Sequence, residues 1–155
     1  MTRLMLAIAC LAAFVGAAGA QDSATTRTTH MMLRLEDVAW RQVRPGVHSA
    51  VLAGRPAADT GHYSVAIRLA DGEWLQPHFH PNAKRVVVLQ GTLLMGMGDC
   101  VVAALARPLS TGSFSIVPAN AHHFEGARGE TVILLYGRGP LQTTYVDSRG
   151  RPIAP

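Results

Sequence analysis

The chain has 155 residues, 48% hydrophobic and 15% charged, which suits one domain with its own core and excludes a largely disordered chain. The formal charge is +4. The arginines are scattered one or two at a time (Arg27, Arg34, Arg41, Arg44, Arg55) without interleaved aromatics, which argues against a nucleic-acid partner.

Residues 1–20, MTRLMLAIACLAAFVGAAGA, read as a separate object. Arg3 is a short basic start, an apolar run extends from Leu4 to about Val15, and Ala18-Gly19-Ala20 offers a small-residue cleavage site before Gln21. This pattern predicts a secretory signal peptide cut after Ala20 and a periplasmic or secreted protein. No later run is long and apolar enough to predict a membrane span. Cleavage would remove Cys10 and leave Cys100 alone, so no internal disulfide is expected. The apolar context GDCVVAAL predicts that Cys100 is a small buried hydrophobe.

Residues 21–45 are read as an N-terminal arm, polar and threonine-rich as far as about residue 33, residues 46–148 as the folded domain, and residues 149–155 as a tail. Val47, Ala50 and Leu52 suggest an early strand. In HYSVAIRLA, Tyr63, Val65, Ile67 and Leu69 alternate onto one face, as in a half-buried strand. Asp71-Gly72 marks a turn. KRVVVLQGTLLMGMG reads as two strands joined like a hairpin at Gln90-Gly91. DCVVAALARPLSTG has room for a short helical turn. SFSIVPAN, ETVILLYGRG and LQTTYVD supply further strands. Short strands every eight to twelve residues, with no sustained helical period, predict an all-β sandwich or barrel.

Seven histidines punctuate this pattern. His30, His48 and His62 are isolated. His78 and His80 stand two apart, so a strand would aim both imidazoles into one space, as a first-row metal requires. His122 and His123 are adjacent, so one should point in and the other out. An H-x-H pair alone is equally well read as two surface histidines.

The spacing goes further. Gly72, five residues, His78, one residue, His80, and then Gly91 resemble the first motif of the cupin family. Gly112, five residues, Pro118 and then His123 resemble the second. Asn120 replaces the second glycine of that motif and Ala127 a usual asparagine, and Asn tolerates the left-handed backbone required. The resemblance spans about Gly61 to Tyr145 and is similar to small single-domain bacterial cupins that carry a signal peptide. It implies a small jelly-roll β-barrel with His78, His80 and His123 as metal ligands and His122 as an outward neighbour. Iron is the first expectation for the metal, with manganese, zinc, nickel or copper as alternatives. A dimer through edge strands is compatible with it.

The family's fourth ligand, a glutamate four residues after the second histidine, is replaced here by Lys84. No other carboxylate lies between His80 and Gly91, and Asn82 is the other polar residue nearby with an oxygen. Alternation places Lys84 on the site face with Val86 and Val88, unless a strand shift carries Lys84 and Arg85 both to solvent. An inward ammonium ~4 Å from a dication is repelled by about 2 kcal/mol in water and more when buried. Three outcomes stay open. A metal binds through three histidines, and Lys84 orients or charge-balances an anionic substrate. The metal is lost, and Lys84 with the histidines holds a small anion. Or Lys84 acts as a base or nucleophile. The first outcome resembles three-histidine cupin dioxygenases, and the second is a metal-free binding module for a small molecule. Tyr63, Trp74, Phe79, Met95, Met97, Phe114 and Tyr136 are available to line a pocket, though each is equally suited to plain core.

Overall fold

Strand segments and turn residues assemble into one antiparallel sheet that curls on itself. The computed structural model describes residues 30–57 and 60–153. The expected signal peptide, the arm as far as residue 29 and the last two residues of the tail lie outside the described residues. Leu33–Pro155 forms one compact unit.

Among the described residues the nine strands are β1 (Arg41–Arg44), β2 (Val47–Gly54), β3 (His62–Leu69), β4 (Trp74–Phe79), β5 (Lys84–Met97), β6 (Arg107–Ser110), β7 (Phe114–Val117), β8 (His123–Arg138) and β9 (Thr144–Tyr145). Single 3-10 turns occupy Leu35–Asp37 and Ala103–Leu105. The sheet therefore begins at Arg41, inside the segment read as an arm. The all-β expectation holds: no α-helix occurs among the described residues.

β8 organises the fold. Along one edge its first half pairs with β4 (Trp74 with Gly126, His78 with His123) and its second half with β3 (Tyr63 with Gly137, Leu69 with Thr131). Along the other edge it pairs with β5 from Lys84–Gly137 to Met97–His123. β7 and β6 line the free side of β5, and β9 lines that of β4.

The expected hairpin at Gln90-Gly91 is instead one continuous strand. The register shifts between Val88, Gln90 and Thr92, and Gly91 takes φ 76°. That is a β-bulge, which bends a strand without reversing it. Gly91 is required there, because a side chain would be strained at that φ and its Cβ would run into the Glu130 carbonyl. Bent in this way, β5 and β8 each serve both walls of the barrel. Leu69, Val86, Val88, Leu93 and Ile133 fill the space between, all at 0–1% exposure. Each such side chain contributes roughly 1.5–3 kcal/mol relative to exposure.

Candidate metal centre

Strand register puts the histidines together. His78 is the direct cross-strand partner of His123, and their rings lie 4.2 Å apart. His80 follows just beyond the end of β4, with its ring 5.0 Å from that of His78 and 5.5 Å from that of His123. Its backbone carbonyl accepts the amide of Asn120 at 2.8 Å. Asn120 takes φ 60°, the left-handed conformation that the second motif calls for. The Pro118–Asn120 turn thus locks His80 beside the start of β8.

The rings are aimed by hydrogen bonds on their outer nitrogens. Nδ1 of His78 donates to the Gln76 carbonyl at 2.7 Å, that of His80 to Gln142 at 2.7 Å, and that of His123 to Ala121 at 2.9 Å. This fixes the tautomer that leaves each Nε2 lone pair free for a metal, the usual backing of histidine ligands. The three histidines are buried and offer ligand atoms within 4.8 Å of one another. Nε2 of His80 and of His123 is buried without a hydrogen-bond partner. Buried polar atoms are otherwise almost always partnered, so the donor set fits a first-row metal ion.

Lys84 points inward and is 1% exposed. Arg85 points outward, with its guanidinium 5.9 Å from the centre of the Tyr136 ring. What the sequence reading missed is the partner of Lys84: its Nζ lies 3.6 Å from Oε1 of Glu125, itself 1% exposed. The signal was present in His123-Phe124-Glu125. The alternation that puts His78 and His80 on one face also puts Glu125 beside His123. Asn82 is not part of the site, since its amide donates to the Gly139 carbonyl at 3.0 Å. His122 turns outward, with its ring stacked 5.0 Å from that of Phe79 and Nδ1 2.6 Å from the Asp99 carboxylate.

Electrostatics follow from burial. Burial lowers the His80 imidazole to about 3, helped by the Lys84 ammonium, and His123 to about 4 for the same two reasons. His78 is also lowered, chiefly by burial. Burial favours a neutral Glu125, but Lys84 and then the surrounding histidines outweigh it and hold the carboxyl at about 2. Burial lowers the Lys84 ammonium, with Glu125 opposing. The centre therefore presents three imidazoles that burial drives toward the neutral form, beside a buried lysine–carboxylate pair.

A pH dependence results. The folded-state values of His80 and His123 lie below their ordinary 6.5. Their contribution is complete above pH 6.5 and is lost as pH falls, because the unfolded chain takes up the protons first. Glu125 adds a loss of the same sign below its ordinary 4.5. Urea unfolding of the metal-free protein should show several kcal/mol less stability at pH 4 than at pH 7, since the two histidines and Glu125 all act in the same direction. An unchanged midpoint would show that the rings are not buried neutral.

The centre opens on a cavity of about 290 Å³ lined by His78, His80, Lys84 and Glu125 and otherwise mostly by aliphatic side chains, among them Val47, Val65, Ile67, Leu75, Leu135 and Leu141. None of the seven aromatic and methionine candidates lines it. Tyr63 is core at 3% exposure, and Phe114 and Met97 face out at 52% and 60%. Cys100 is exposed, not buried as expected. It sits in the bend between β5 and the Ala103–Leu105 turn, where no strand covers it. A second cavity, of about 300 Å³ and bordered by Trp40, Arg68 and Glu130, contains no histidine.

A curled antiparallel barrel with three inward imidazoles, two from paired strands and one from just beyond the end of β4, is the arrangement of a cupin. The chain belongs to the family of the ChrR cupin-like domain, whose model matches residues 28–142. No curated protein matches the sequence. Among solved structures it is similar to KdgF from Halomonas sp., at 22% identity and TM-score 0.54 over 70% of this chain and 93% of that one. It is also similar to a candidate acetylacetone dioxygenase from Methylibium petroleiphilum, at 18% identity and TM-score 0.62 over 83% and 89%. A chain of the Rhodobacter sphaeroides complex of SigE with the anti-sigma ChrR matches at 22% identity and TM-score 0.53, over 66% of this chain and 50% of that one. At these identities the structural likenesses bear on the fold.

Proposed function

We propose that this cupin is an exported, metal-dependent oxidoreductase of the dioxygenase kind, acting on a small, mainly apolar molecule with one anionic or chelating group. The observation that carries the reading is the trio of imidazoles with Nδ1 tied back and Nε2 turned inward. His78, His80 and His123 hold the metal. Iron is the first choice and manganese, zinc, nickel or copper the alternatives, since imidazole suits several first-row ions. An iron ion there would supply Lewis acidity and one-electron chemistry with dioxygen. The aliphatic wall excludes water and accepts an apolar body, while the Lys84 ammonium faces the cavity to balance a substrate anion. The likeness to a candidate acetylacetone dioxygenase supports this class of chemistry. Export rests on the pattern of residues 1–20.

A metal-free module that grips an anion through Lys84 is less well supported, because with no metal to engage the Glu125 carboxylate, that carboxylate balances the Lys84 charge. The test is elemental mass spectrometry on protein grown with mixed trace metals. Oxygen uptake is followed alongside, with β-dicarbonyls, thiols and aromatic hydroxy acids. About one metal per chain is expected, with uptake that disappears in His78→Ala. Folded protein that takes up neither iron, manganese nor zinc would overturn the reading and turn the search to anionic ligands.

A further inference from the structure

Three buried side-chain polar atoms have no hydrogen-bond partner among the described residues: His80 Nε2, His123 Nε2 and Glu125 Oε1. Two are the metal-facing nitrogens of the centre. The third belongs to the same strand and face as His123, and Oε1 lies 3.9 Å from His123 Nε2. Two donors each about 2.1 Å from one ion stand roughly 3.0 to 4.2 Å apart, from adjacent to opposite positions. The separation of Glu125 and His123 falls within that span. The histidines alone, however, form a set of ligand atoms all within 4.8 Å of one another, so Glu125 would reach an ion shared by all three only by turning its side chain toward them. Lys84 Nζ, at 3.6 Å, stands at the outer edge of N–H···O reach, so it balances the carboxylate's charge while holding the oxygen only weakly.

We propose that Glu125 is the anionic fourth donor of the metal centre, supplied by β8 in place of the β5 position that Lys84 fills, and that Lys84 holds this carboxylate in competition with the metal. The proposal rests on the three-histidine reading above. Without a cation in the centre, a fully buried carboxylate needs an opposite charge, and Lys84 is the cation beside it. When a dication enters, that ammonium repels it. Removing Glu125 and removing Lys84 must therefore change metal affinity in opposite directions. A lysine serving only as scaffold would not produce a gain.

The test is titration of the metal-free protein with Co²⁺, followed by visible absorption, for wild type, His80→Ala, Glu125→Gln and Lys84→Met. Expected are loss of binding in His80→Ala, weakening of roughly ten- to a hundredfold in Glu125→Gln and tightening of about fivefold or more in Lys84→Met. Wild-type affinity in Glu125→Gln, with binding still lost in His80→Ala, would overturn the fourth donor and leave the three-histidine centre standing. Unchanged or weaker binding in Lys84→Met would overturn the competition. Wild type that binds no Co²⁺ would overturn the three-histidine reading and this proposal with it. Because both single substitutions break a buried pair, each titration is read against the circular dichroism of the same sample. The Lys84→Met/Glu125→Leu double variant, which strands no charge, should bind Co²⁺ as weakly as Glu125→Gln. Wild-type affinity in the double variant would overturn the fourth donor.

Discussion

Lys84→Met is expected to destabilise the metal-free protein by about 3–5 kcal/mol, as is Glu125→Leu, whereas the double variant should fall within about 1 kcal/mol of wild type. Both partners are 1% exposed. Removing either one strands the other charge in an aliphatic cavity, where it must take up or lose a proton or remain unpaired. Removing both leaves two apolar side chains among Leu75, Val65 and Leu135, which line the same cavity. Urea unfolding of the four proteins closes a double-mutant cycle. A large coupling energy is the expected result. Additive losses would mean that the two groups do not sense each other at 3.6 Å, and the account of their charges would fail.

The second large effect concerns the histidines. If the centre binds a divalent ion, a hundredfold excess over Kd stabilises the fold by about 2.7 kcal/mol. That raises Tm by roughly 10 °C for a domain of this size. In His123→Ala the rise should vanish, because His123 is the direct cross-strand neighbour of His78 and 0% exposed. Thermal melts with and without Co²⁺ or Mn²⁺ would show it. A rise that persists in His123→Ala would place the bound metal elsewhere on the protein.

Much of this was legible in the sequence, for a local reason. A strand repeats every two residues, so Tyr63, Val65 and Leu69 announced a buried face, and each is at most 5% exposed. The same period placed His78 and His80 on one side. Asn120 marked a left-handed turn, because few other residues adopt φ 60°. These are properties of neighbours along the chain, which side-chain sterics decide.

What the tertiary structure alone decided depends on strands meeting far from one another in sequence. Alternation divides Phe114 and Ile116 from Ser115 and Val117, but it does not say which set faces in. The pairing of β7 onto β5 turned Phe114 and Ile116 to solvent and buried Val117. Gly91 marked a break in either a hairpin or a bulge, and the continuous pairing of β5 with β8 made it a bulge. Lys84 lies on β5 and Glu125 on β8, and no local pattern links them. The curl of the sheet carries both into one cavity, where the charge that stood in place of the expected ligand finds its counter-charge.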